Sequence, residues 1–280
     1  MRRSPMRGRS GSQFEAGRLS AITPGVVQEY RIHRPEAEKP PAETTLHHEL
    51  VTLRQILKTA QRHGWLVAIP DLTAPYKSSG KVVHRAWFTP EEYKTLYTAT
   101  RKAANDPENK QRPASQALHD YALFMANTGL RPDEASLLEY RDVKIIDDRE
   151  SGERILEIEV RGKRGVGYCK STRGAVRPFE RMKERQKPEP TDKLFLTRAH
   201  KRFNSFLDAA EFRCESEGSR RTAYSIRHTY ICMGLLEGAD IYHVAKNCRI
   251  SVAMIEKYYA MHIKTRLDSR AINVRRSAAQ

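Results

Sequence analysis

The sequence is poor in the residues that cross-link or anchor a chain. Its four cysteines, Cys169, Cys214, Cys232 and Cys248, are scattered and form no Cys-x-x-Cys pair. That argues against a disulfide framework or a zinc site and fits a reducing cytosol. No apolar run approaches the roughly 18–20 residues that span a bilayer, so no membrane partner is expected. Acid is absent at the start: Arg2, Arg3, Arg7 and Arg9 all precede Glu15, the first acidic residue. With no apolar h-region, this stretch reads as a basic arm and not as a secretory signal, and the expected location is cytoplasmic, with the nucleoid. There are no internal repeats, and no cluster of ligating side chains calls for a metal or cofactor.

Positive charge is abundant. Lysine and arginine total 50 against 34 acidic residues, a formal net charge of +16, while 39% of the chain is hydrophobic. That is too apolar for a disordered polycation, yet basic enough to suggest a polyanionic partner. At 280 residues the chain is long enough for two domains.

Residues 1–45 are rich in Pro and Arg, and Pro35, Pro40 and Pro41 interrupt any long helix. From His47 the apolar residues Leu50, Leu53, Ile56, Leu57 and Ala60 recur at helical spacing, and Gly64 ends the run. The reading is a small helical module over 1–75, a linker over 76–86 and a second domain over 87–280. Thr89-Pro90-Glu91-Glu92 is a capping box with proline at the first helical position. A helix over about 114–127 is followed by Thr128-Gly129-Leu130-Arg131-Pro132-Asp133-Glu134, where glycine ends one helix and Pro132 opens the next. Ile155–Val160 alternates as a strand, Arg161-Gly162-Lys163-Arg164-Gly165 is a hairpin turn, and Lys193–Thr197 is expected to add a third strand. The rest reads as helix, so the fold class is mainly α with a small antiparallel β-sheet.

Four places carry chemistry. Arg131 sits between two helices, one turn before Glu134. The hairpin gathers Arg161, Lys163, Arg164, Lys170 and Arg173 around Tyr168, a finger suited to a phosphate backbone. Arg227 and His228 lie within an apolar helical pattern, where a cation is costly unless an anion meets it. Near the C-terminus a short helix ends in Tyr258-Tyr259. Each has an ordinary explanation: a surface ion pair, a solvated turn, a snorkelling arginine, a packed aromatic. Together, an arginine placed for a phosphate and a tyrosine able to attack it read as phosphoryl transfer to protein.

In this order the residues resemble the tyrosine recombinases of the phage-integrase type, over roughly Thr89–Ala271. Thr-Gly-Leu-Arg-Pro-Asp-Glu-Ala (128–135) resembles that family's first arginine box, and Val-Arg-Gly-Lys (160–163) the hairpin bearing its lysine. Tyr-Ser-Ile-Arg-His-Thr-Tyr (224–230) with Gly238-Ala239-Asp240 is similar to the second arginine box. Ser-Val-Ala-Met-Ile-Glu-Lys-Tyr-Tyr (251–259) resembles the nucleophile box. Residues 15–70 resemble the latter part of the family's helical core-binding domain, with its first helices missing. The resemblance implies that Arg131 and Arg227 grip the scissile phosphate, Tyr259 attacks it and Lys163 protonates the leaving 5′-oxygen. His228 would support the site, and no cofactor or metal would be needed. It further implies double-stranded DNA as substrate, a homotetramer on that DNA, and accessory DNA-bending proteins as candidate partners.

Two positions depart from the family pattern. A histidine usually stands three residues before the second arginine, where this chain has Tyr224. A histidine or tryptophan usually stands nine residues before the nucleophile, where this chain has Ile250; either Arg249 beside it takes over the phosphate contact, or the chemistry is slower, or the protein binds without cutting. Tyr259 is preferred to Tyr258 because the nucleophile is usually the second of such a pair, before a small residue. Two other readings stay open: a non-cleaving DNA-binding relative, and a type IB topoisomerase that relaxes supercoils.

Overall fold

The computed structural model of the chain describes residues 19–73, 85–149, 151–162, 165–195, 198–214 and 219–263. The chain divides into two units, Met1–Gly80 and Lys81–Gln280. In the first, Thr23 caps α1 (Pro24–His33) by accepting from the Val26 amide, and Pro24 takes the first helical position. Helix α2 (Glu43–Arg62) follows. Val27, Leu50, Leu57 and Leu72 form the small core of this unit, and Glu49 accepts from Tyr30 and Arg34 at 2.7 and 2.9 Å. Of the linker placed at 76–86, residues 76–84 lie outside the described residues.

The second unit opens with the capping box the sequence encodes. Thr89 Oγ1 accepts from the Glu92 amide and Glu92 accepts from the Thr89 amide, starting α3 (Pro90–Asn105). Helix α4 (Arg112–Thr128) is central, with α3, α6 (Val176–Gln186), α7 (Ala199–Ala209) and α8 (Ala223–Leu236) all packed on it. Phe88, Leu96, Phe124, Met125, Leu156 and Phe203 fill the space between. Gly129 ends α4 in the left-handed region at φ +63, with α5 (Pro132–Leu137) following.

The sheet is antiparallel in the order β1 (Val143–Asp147), β2 (Arg154–Gly162), β3 (Gly165–Lys170). Ile158 pairs with Val143 on one side and Cys169 on the other, and from Leu156 to Val160 every second β2 residue is buried. The third strand is therefore β1 and not the expected Lys193–Thr197. Lys193 makes only an isolated bridge to Glu139, and residues 196–197 lie outside the described residues. After α8 come α9 (Ile241–Asn247) and α10 (Val252–Ile263). Their apolar faces build a second core from Ile231, Leu235, Val244, Ala245, Ile255 and Tyr259. No helix among the described residues is long and apolar enough to cross a membrane.

Candidate active site

Arg131, at the junction of α4 and α5, and Arg227, within the first turns of α8, reach the same short stretch of backbone. Arg227, on α8, is 1% exposed. It donates through Nη1 to the Gly129 carbonyl at 2.5 Å and through Nη2 to the Cys248 carbonyl. Arg131, just before α5, donates through Nη2 to the Arg249 carbonyl at 3.1 Å. The two guanidiniums thus hold consecutive carbonyls where α9 ends. Fixing them needs the chain reversals on either side, Gly129 at φ +63 and Arg249 at φ +53. A non-glycine residue in that region signals an imposed geometry.

Glu134 organises the positive charge. Its carboxylate accepts from Arg131 Nη1 at 2.7 Å and from the Arg131 amide at 3.1 Å, and lies 3.4 Å from Arg249 Nη2. Burial works against the Arg131 charge, but the Glu134 carboxylate and the Tyr224 hydroxyl beside it more than offset this and raise its pKa. Arg249 donates to the Val160 carbonyl at 3.2 Å and lies against Gly167, so its side chain is folded inward. Arg131 and Arg249 share one carboxylate while both described bonds of Arg227 go to neutral carbonyls. That surplus of positive charge suits an anion.

The phenol approaches from α10. Tyr259 is 3% exposed, and its hydroxyl is hydrogen-bonded to Nδ1 of His228, the residue after Arg227. Burial pushes the Tyr259 phenol above its ordinary pKa, with Arg227 pulling the other way. Burial lowers His228 to about 3, helped by Arg85 and Arg227, so the imidazole is neutral at pH 7. Tyr224 is 39% exposed with its ring 5.0 Å from that of His228. It therefore lies at the mouth of the site, between His228 and Arg131. Ile250 is half-buried and packs in the second core, with no polar side-chain atom to offer.

The described basic residues of the hairpin, Arg161, Lys170 and Arg173, pair with nearby carboxylates. Arg161 pairs with Asp142 at 2.8 Å and Glu159 at 3.0 Å, Lys170 with Asp148 at 2.5 Å, and Arg173 lies 3.8 Å from Glu153. Lys163 and Arg164, at the tip, lie outside the described residues. Among the described residues no group of three His, Cys, Asp or Glu side chains could hold a metal. The sequence reading underrates Glu134, treating it as a surface partner, and misses Arg85. The arginine-box pattern, with an acid at the third helical position, was the available signal for Glu134.

No protein-family model matches the sequence, and no curated protein does either. Solved structures do match. The XerH site-specific recombinase bound to palindromic difH substrate, a post-cleavage complex, aligns with a TM-score of 0.68 at 17% identity, covering 90% of this chain and 72% of that one. The Tn1549 transposon integrase in complex with transposon right-end DNA aligns at 0.62 and 14% identity, covering 85% and 81%. This is the tyrosine-recombinase fold. Within this chain the second unit holds the three-stranded antiparallel sheet, and the end of α4 with α8 and α10 brings Arg131, Arg227 and Tyr259 together.

Proposed function

We propose that this chain is a site-specific DNA strand transferase that cleaves and rejoins double-stranded DNA through a 3′-phosphotyrosyl intermediate on Tyr259. One observation carries the reading: the two guanidiniums meet at residues 248–249 while His228, adjacent to Arg227, holds the Tyr259 hydroxyl. Arg131 and Arg227 would bind the non-bridging oxygens of one phosphodiester, replacing the carbonyls as partners for some of their donors. Fixed forks of this kind stabilise the charge that gathers on pentacoordinate phosphorus. Tyr224 adds a hydroxyl to the same oxygens in the place of a histidine.

Tyr259 must then exchange its bond to His228 for an approach to phosphorus. Its proton passes to the neutral imidazole, whose basicity rises once a phosphate offsets the field of Arg227. The phenolate forms a bond to phosphorus, the bond to the 5′-oxygen breaks, and Lys163 is proposed to protonate that oxygen. The phosphotyrosyl link keeps the energy of the broken bond, so rejoining requires no nucleotide. The first unit would clamp the duplex, and recombination of two duplexes would need four copies.

A pool of duplexes nicked near a randomised site tests this, since departure of the short strand traps the adduct. Wild type is expected to give a denaturant-stable protein–DNA adduct, Tyr258→Phe to retain it and Tyr259→Phe to lose it. Retention by Tyr259→Phe with loss by Tyr258→Phe would reassign the nucleophile. The inward-turned phenol and the apolar Ile250 favour the second reading, a non-cleaving DNA-binding relative. Footprints on DNA without any adduct would select it, and relaxation of plasmids lacking a site would indicate a topoisomerase.

A further inference from the structure

Arg85 precedes the first helix of the second unit and belongs to none of the motifs above. Its guanidinium lies over the Tyr258 ring, 4.7 Å from the centroid, within the distance at which a cation is attracted to an aromatic face. Lys257 lies over the same ring at 5.3 Å, but it is part of α10 and cannot tie that helix to anything else. Arg85 comes from outside α10, on a segment that is itself fixed. The Phe88 amide donates to Thr229 Oγ1 on α8 at 2.8 Å, and the Trp87 carbonyl accepts from Arg221 Nε at 3.0 Å. The Arg221 guanidinium covers the Phe88 ring at 4.8 Å and pairs with Glu92 at the start of α3. Trp87, like Tyr258, is partly buried and packs against the second core. The segment is thus pinned to the helix that carries Arg227 and His228.

We propose that Arg85 is a positioning residue: by capping the Tyr258 ring from a segment anchored on α8, it sets where α10 presents Tyr259 to the arginine pocket. The proposal rests on the reading of Tyr259 as nucleophile. It assigns Tyr258 a role that neither attack nor simple packing supplies, that of the handle by which α10 is held. Arg85 is itself exposed, so its truncation removes the cap without opening the core.

The experiment compares single-turnover adduct formation by the full chain and its Arg85→Ala, Arg85→Lys and Tyr258→Leu variants on a nicked duplex taken from the selected pool. For Arg85→Ala the rate at saturating DNA should fall about tenfold while the half-saturating DNA concentration stays within about twofold. Arg85→Lys, which keeps the cation, should recover to within about threefold of wild type. Tyr258→Leu should lose a similar factor, and the double variant no more than the larger single loss. Amide exchange in the free protein should quicken over 252–259 in Arg85→Ala and stay unchanged in α4. A wild-type rate in Arg85→Ala, a loss confined to DNA affinity, or unchanged exchange over 252–259 would each overturn the proposal and leave the nucleophile reading standing. Absence of any adduct from wild type would overturn both.

Discussion

His228 and Tyr259 are joined by a hydrogen bond between the imidazole Nδ1 and the phenol hydroxyl, which locks the arginine helix to the tyrosine helix in the free protein. Both partners are buried, so the pair sits in its neutral state, with the phenol pushed up and the imidazole held down at about 3.

A dependence of stability on pH follows. The folded-state pKa of His228 lies below the ordinary value of 6.5, so the unfolded chain takes up its proton first. The stability is present above pH 6.5 and is lost as pH falls toward about 3. His119, buried beside Thr100 and lowered to about 4, chiefly by burial, acts in the same direction. Urea midpoints between pH 7 and 4.5 should fall, and His228→Gln should reduce the slope by up to about 1.4 kcal/mol per pH unit. An unchanged slope would place His228 in solvent.

Arg227→Lys should separate charge from geometry. Lysine keeps the cation but lacks the fork that spans the Gly129 and Cys248 carbonyls. One orphaned buried carbonyl costs roughly 1–3 kcal/mol of stability, read from urea unfolding. The adduct rate should fall about 10²–10³-fold, the loss typical of a transition-state donor.

Gly129→Ala should damage the site without touching a charged residue. Gly129 sits at φ +63, and an added Cβ would lie 2.4 Å from Cδ1 of Tyr230, a half-buried ring. Both strain and overlap oppose the change, so stability should drop by about 2 kcal/mol or more. Arg131, two residues on, should be displaced with it. Thermal unfolding checks the first effect, and adduct formation at a permissive temperature checks the second.

Legibility in the sequence followed locality. The capping box at Thr89, the turn at Gly129 and the alternation of β2 depend on neighbouring residues, and periodicity reveals them. The cluster of Arg131, Arg227 and Tyr259 depends on contacts between distant residues, and only the resemblance of ordered motifs brought it into view. Arg249 shows why the rest was hidden. Its place beside Ile250 in the resembled motif makes it a candidate phosphate contact, and no local pattern shows that the left-handed turn after α9 folds it against Val160 and Glu134. Arg85 acts on a ring far along the chain, which no local pattern encodes. Strand β1 is too short for its own alternation to announce it, and its place is set by pairing with β2.

In the proposed reaction Arg131 and Arg227 together meet the charge of one DNA phosphate within reach of Tyr259. The most direct measurement is adduct formation by Arg131→Ala on two nicked duplexes, one with the normal scissile phosphodiester and one with a neutral methylphosphonate in its place. Arg131→Ala should lose about 10²-fold or more on the phosphodiester and recover to within about tenfold of wild type on the phosphonate, where the charge is gone. An equal loss on both substrates would contradict this role, because the guanidinium would then serve something other than the phosphate.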